Sequence, residues 1–299
     1  IKKDFIQKKI ETGIKFTPFT CSAWISNLMY FYILKQNDSD CYFLKKQRGY
    51  EGDAYGIIMG RKGDRFGFQK KLFIKDKDGD NVIDYTYKQY KKCEENNKLL
   101  CIPLTIGQNG THRNMIIINP YLHTIERYEP HGARTGLSVK DGYNSETFDR
   151  NWKKHFLTYF REQEPENNWE YKDPKQTCPT KSQGTQGLEG HSAPDEKDEL
   201  IDNGVKYIFE EVGGYCCMWS FFLMDLRLKY PKDNIGQIQD EFIKKIKSKG
   251  GNKQLKEFVR GFTGELIDGL GDIIPKDAMK KYTIVEKEEI EVNKKTGKE

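Results

Sequence analysis

The sequence predicts an α+β fold, on three observations. Apolar runs with a helical 3.6-residue period and short β-branched or aromatic runs both occur, and they follow no strict alternation. Gly, Pro, Asp and Asn gather between the runs and bound elements of ordinary length. The 299 residues, 36% hydrophobic and 32% charged, suffice for one sizeable core under a heavily solvated surface.

Residues 19–36 read as a helix, because Cys21, Trp24, Ile25, Leu28, Phe31 and Tyr32 share one helical face. Residues 55–59, 66–74 and 82–87 read as strands, each a β-branched or aromatic run set off by Gly or Asp. Residues 88–99 return to helix, and 100–106 form an apolar strand broken at Pro103. A hairpin follows, with strand-like segments at 113–118 and 123–129 and the turn Asn119-Pro120-Tyr121-Leu122 between them. Phe148, Trp152, Phe156 and Tyr159 make one stripe of a helix over 145–160. Residues 161–204 are polar and rich in Pro, Gly, Glu, Asp and Gln, and read as a long loop or insertion. An apolar helix over 216–229 is stopped by Pro231, and further helices are expected at 235–248 and 253–260.

These elements divide the chain into an accessory region over 1–99, a main core over 100–274 and a charged tail over 275–299, disordered beyond Glu286. The aromatic residues Tyr30, Phe31, Tyr32 and Phe43 of the first region read as core. One antiparallel sheet is expected to pack on the 216–229 helix.

Charge and cysteine usage narrow the function classes. Fifty basic against 45 acidic residues leave a net charge of +5, and the Lys pairs at 2–3, 70–71 and 153–154 are scattered. A nucleic-acid footprint is a concentrated patch, so nucleic acid is expected as an accessory partner at most. Seven Cys at irregular positions, with no Cys-x-x-Cys, predict reduced thiols in an intracellular reducing compartment and no zinc ribbon. No apolar run reaches the ~18 residues of a membrane span. The chain begins at Ile1, so a preceding segment with any targeting signal is expected to be missing.

Two segments carry the chemistry. The first runs from His112 through Ile125-Glu126-Arg127-Tyr128-Glu129-Pro130-His131-Gly132, and the second is Gly213-Gly214-Tyr215-Cys216-Cys217-Met218-Trp219-Ser220. With 119–122 as the turn, opposed residues sum to 241, which sets His112 against Glu129 on one face. Glu129 then fixes the imidazole tautomer, and a one-residue slip would separate the two. Without a functional role the two are an ordinary polar cross-strand pair. His131 belongs to a turn, and His123 lies at the hairpin end. Cys216 starts an apolar helix, where the dipole favours thiolate and free amides can hold an oxyanion. The bland alternative is a buried structural Cys, the role expected of Cys217.

The order His–acid–Cys in these two motifs resembles the clan of SUMO proteases and adenovirus protease (adenain). The likeness is nearest to members from large DNA viruses and covers roughly residues 100–232. It implies a permuted papain-like cysteine protease core: a mixed or antiparallel sheet packed on the nucleophile helix. His112 would be general base, Glu129 its orienting acid and Cys216 the nucleophile, with no cofactor or metal. The clan also uses a Gln before the Cys as oxyanion donor. At the short spacing this chain has Glu210, so Gln186 or Gln183 in the segment after Cys178 is implied instead. Arg113 and Cys217 stand where many relatives have Trp and Gly. The implied substrate is a polypeptide cleaved after small residues of Gly-Gly or Gly-Ala type, with Tyr215 and Trp219 as candidate cleft walls. That substrate is a viral polyprotein in virion maturation, in the host cytoplasm or the virion, or a ubiquitin-like conjugate.

Rival readings remain at this level. Cys21 also starts a helix, with Trp24 three residues on, and would use the same His112–Glu129 pair in the unpermuted order. Some clan members transfer acetyl groups through a His–Glu–Cys triad, but an inositol-phosphate activator would want a basic pocket that the sequence does not concentrate. A protein that only binds is the third reading, supported by a buried Cys216 far from His112. The acidic run from Asp76 to Asp84 resembles a calcium loop, but Asn81 and Tyr87 stand where that loop needs Gly and Glu. It reads instead as a hairpin turn at Asp78-Gly79.

Overall fold

The computed structural model describes residues 23–49, 52–59, 81–106, 112–133, 145–180, 183–189, 198–202, 205–209, 215–271 and 287–288. In chain order the elements are α1 (Ala23–Gln36), β1 (Lys46–Gly49), β2 (Gly52–Tyr55), β3 (Ile57–Met59) and α2 (Val82–Glu95). Then come β4 (Leu100–Ile106), β5 (His112–Asn119), β6 (Thr124–Tyr128), α3 (Ser145–Trp152), a π-helical turn (Lys153–Leu157) and α4 (Thr158–Gln163). They are followed by β7 (Glu170–Lys172), α5 (Pro174–Thr177), α6 (Thr185–Glu189), β8 (Asp198–Asp202) and β9 (Val205–Phe209). Helices α7 (Cys216–Lys229), α8 (Ile235–Gly250) and α9 (Asn252–Gly271) and the short β10 (Lys287–Glu288) complete the series. The expected strand at 66–74, the Asp78-Gly79 turn, Cys21 and the Gly213-Gly214 pair lie outside the described residues.

The fold is mixed α+β. Its main sheet has the order β3-β4-β5-β6-β7. Of the expected mixed or antiparallel arrangements the sheet takes the mixed one: the β4–β5–β6 centre is antiparallel, and β3 joins β4 and β7 joins β6 in parallel. Strands β1 and β2 form a separate hairpin, and β8, β9 and β10 a separate small sheet.

Alternation along the central strands divides the apolar side chains between two faces. Cys101, Met115, Ile117 and Tyr128 face a core shared with α1, α7, α8 and α9. Leu100, Ile102, Leu104, Ile116, Ile118 and Ile125 face a second core shared with α2, α3 and α4. Burial on both faces explains the nearly continuous apolar runs of β4 and β5. Pro103 does not break β4, because it stays in register opposite Met115.

Three helices differ from the sequence expectation for identifiable reasons. In α1 the fully buried stripe is Ser26, Met29, Tyr30, Ile33 and Leu34, while Leu28, Phe31 and Tyr32 are only partly covered. The helix is apolar nearly all round, so periodicity alone cannot choose its inward face. Residues 82–87 are helix and not strand: Asn81 caps α2 by accepting from the N–H groups of Ile83 and Asp84 at 2.8 and 3.0 Å. The β-branched residues Val82, Ile83 and Thr86 are the first steps of a buried helical stripe that continues to Tyr90 and Cys93. In the 145–163 helix the buried stripe is Phe148, Trp152, Phe156 and Phe160. A spacing of four residues overshoots the α-helical period, and the wider π turn keeps the four rings on one face.

The expected loop at 161–204 is largely built structure where described. Its polar residues are used internally. Glu164, 3% exposed, accepts from the Trp169 indole at 2.9 Å and the Tyr87 hydroxyl at 3.0 Å. Asp173 and Gln176 form a capping box that starts α5 at Pro174. The segment between them supplies the edge strand β7.

Candidate active site

His112 is the first residue of β5 and only 5% exposed. The ladder register differs from the one expected. Strands β5 and β6 pair from Met115↔Tyr128 to Asn119↔Thr124, so opposed residues sum to 243 and the turn is 120–123. Asn119 stays inside the ladder and closes the turn itself, accepting from the Tyr121 N–H at 2.9 Å and donating to the Pro231 carbonyl at 2.8 Å. His123 supplies the left-handed step, with φ of 48°. A two-residue displacement preserves the faces of the strands. Extended to the strand end, this register places His131 opposite His112, and their ring centroids are 5.0 Å apart. Glu129 reaches the histidine diagonally, and His112 Nε2 donates to Glu129 Oε1 at 2.6 Å.

Cys216 is the first residue of α7, which packs across β5. Its thiol hydrogen-bonds the His112 ring and meets the backbone of Arg113. Burial alone would push the Cys216 pKa up, but the bonded and charged His112 overcomes it and holds the thiol below its usual range. Burial alone would push the His112 pKa down, but the Glu129 carboxylate and the contact with Cys216 raise it to about 10. The two shifts have one source, the buried contact of His112 with Cys216 on one side and with the Glu129 carboxylate on the other. At the α7 N-terminus Tyr215 provides no side-chain cap, and its carbonyl takes the first helical bond from the Trp219 N–H at 2.8 Å.

Behind Glu129 lies a residue that sequence reasoning missed. Arg127 is fully buried, and its Nη1 is 3.3 Å from Glu129 Oε2. The same guanidinium donates twice to Asp149, at 2.7 and 2.9 Å, and to Asn114 Oδ1 at 2.6 Å. Tyr171 donates to Asp149 at 2.6 Å. The available signal was the i, i+2 spacing of Arg127 and Glu129, which puts both on one face of an extended chain.

Gln186 and Gln183 end in different environments. Gln183 is exposed, whereas Gln186 is 7% exposed and its Oε1 has no hydrogen-bond partner. The Gln186 N–H donates to the Pro130 carbonyl at 2.9 Å, directly after the acid. Glycines make this joint close. A Cβ on Gly132, whose φ is 98°, would lie 2.4 Å from the Gly184 nitrogen, and a Cβ on Gly184 would lie 2.5 Å from the Glu129 carbonyl oxygen. Leu188 carries the same segment into the core that holds Cys217 and Met218.

Tyr215 is partly exposed, and its hydroxyl accepts from Arg260 Nε at 3.0 Å. Trp219 corrects its expected place as a cleft wall: it has no exposed surface and packs among Phe222, Phe242 and Phe258. The expectation of seven reduced thiols is also corrected. Cys41 and Cys93 are disulfide-bonded, with Cα atoms 5.3 Å apart, and so is Cys217. Cys101, Cys178 and Cys216 are free and buried. Among the described residues no cluster of three or more His, Cys, Asp or Glu is arranged to hold a metal ion, and no helix is long and apolar enough to cross a membrane. Against known proteins, no family model matches this chain, and neither does any curated protein.

Proposed function

We propose that this chain is a cysteine endopeptidase with Cys216 as nucleophile, His112 as general base and acid, and Glu129 as the orienting acid. One observation carries the proposal: His112 is bonded to Glu129 on one side and to Cys216 on the other, at the first residue of a helix. A buried histidine bonded to a carboxylate could be structural. A thiol held below its ordinary pKa beside it is what a nucleophile requires.

The chemistry follows from the positions. The thiolate attacks the scissile carbonyl carbon, and the carbonyl π electrons move onto oxygen. Amides at the start of α7 and the side chain of Gln186 stabilise that oxyanion. His112 gives its proton to the departing amine as the C–N bond breaks, which leaves a thioester. The neutral imidazole then takes a proton from water, the hydroxide displaces sulfur, and the thiolate–imidazolium pair is restored. Glu129 keeps the imidazole in the required tautomer throughout.

The chain order His–Glu–Cys and the packing of α7 on β5 support a permuted papain-like core. The implied preference is for Gly-Gly or Gly-Ala sequences, as in maturation of a viral polyprotein. Tyr215 is the partly exposed aromatic left to line the cleft. The expected reducing compartment rested on reduced thiols, and the Cys41–Cys93 disulfide removes that ground.

The test is labelling with a Gly-Gly-derived thiol-reactive probe at neutral pH, with adducts located by peptide mass spectrometry. Selective adduct on Cys216, lost in Cys216→Ala and strongly reduced in His112→Ala, is the expected result. Adduct on Cys21, or labelling of Cys216 that is indifferent to His112, overturns the assignment.

A further inference from the structure

The turn after Glu129 holds a second imidazole that the mechanism above does not use. His131 is half-buried, and its ring lies 5.0 Å from that of His112 with 36° between the planes. Its backbone N–H donates to Glu129 Oε1 at 3.2 Å, the oxygen that also accepts from His112. Its carbonyl oxygen is pressed against α6, where a Cβ on Gly187 would approach within 2.7 Å. The peptide is therefore fixed on both sides, which places the His131 Cα beside His112.

We propose that His131 is a positioning residue for the Cys216–His112 pair: its ring holds the plane of His112, and a proton on it weakens the pair by repelling the neighbouring imidazolium. This rests on the proposed function and concerns regulation of that same site. Several titratable and charged groups surround this turn. Among the described residues they include His112 on β5, Glu129 just after β6 with Arg127 behind it, Cys216 at the start of α7, and Cys178, whose Sγ donates to the Glu129 carbonyl at 3.6 Å. Within that set His131 packs on the cationic partner. A proton on His131 would therefore face a like charge, and the site would carry its own acid brake.

The experiment measures the rate of Cys216 alkylation by iodoacetamide on the full chain between about pH 5 and 9, in wild type, His131→Phe and His131→Ala. Phenylalanine keeps a ring against His112 but takes no proton, so its rate should match wild type at high pH and exceed it about tenfold near pH 5.5. Alanine removes the ring and should slow alkylation several-fold at every pH. Thermal midpoints of the variants confirm that they are folded. A Phe profile superimposable on wild type, or an Ala profile equal to wild type, overturns the role of His131 while leaving Cys216 as nucleophile. Loss of selective Cys216 alkylation in the wild type overturns the proposed function itself.

Discussion

Arg127 Nη1 lies 3.3 Å from Glu129 Oε2, on the opposite oxygen from the one that holds His112. The carboxylate is thus gripped between two cations, and Arg127 also neutralises Asp149. Arg127→Met should destabilise the fold by roughly 3–5 kcal/mol, because it strands two buried carboxylates. Arg127→Lys should recover little, since an ammonium cannot reproduce the forked contact with Asp149, Asn114 and Ser145. Urea denaturation midpoints check both, and an unaltered midpoint in Arg127→Met would refute the network.

The pH dependence of stability follows from His112. Its folded pKa of about 10 lies above the ordinary histidine value, so the protonated ring stabilises the fold. That contribution is complete below about pH 6.5 and is lost as pH rises through about 10. In a Cys216→Ala background, where the opposing titration of the thiol is absent, the stability gap between His112 and His112→Gln should therefore shrink as pH rises above about 6.5. Thermal scans of the two proteins in parallel cancel the titration of Lys and Tyr elsewhere. A gap that widens with pH would contradict the buried cation.

Gln186→Ala tests the oxyanion contact. Turnover should fall about 10²–10³-fold with little change in substrate affinity, since the donor acts on charge that develops during reaction. Its Oε1 has no hydrogen-bond partner, so little stability should go with it. Gln183→Ala, at an exposed position, should leave turnover within about twofold.

Gly184→Ala tests the joint between the acid and α6. Its Cβ would stand 2.4 Å from the Pro130 carbonyl oxygen, so backbone must move. A loss of roughly 1–3 kcal/mol in stability is expected. Turnover should drop in parallel, because Glu129 and Gln186 are displaced together. Turnover retained at full level would show that the joint does not position the site.

The site was more legible than the fold around it. His112, Glu129 and Cys216 are residue types whose chemistry stands out in the sequence, and the hairpin slip, being of two residues and not one, kept His112 and Glu129 within reach. Helix α2 was misread because Val82 and Ile83 favour strands, while the signal that mattered was the single cap at Asn81. The 161–204 segment was misread because polarity was taken for solvent exposure. Its Glu164 is instead a buried acceptor for residues from α2 and the loop after α4. Arg127 escaped notice because a buried guanidinium is recognised by its partners, and these come from two separate segments, Asn114 from β5 and Ser145 and Asp149 from α3.

Strand β6 also fixes the foot of α7. Glu126 accepts from Arg227 at 2.6 and 2.9 Å in the last turns of that helix, and Thr124 and Tyr128 donate to the same carboxylate. Arg227 and Cys216 are separated by about 16 Å of helix at 1.5 Å per residue. One strand therefore acts as a gauge. Glu126 sets how far the α7 strut protrudes, and Glu129, three residues on, sets where the imidazole waits for its tip. A change at the foot of the strut would slide the sulfur along its axis, and the chemistry would suffer from damage placed well outside the site.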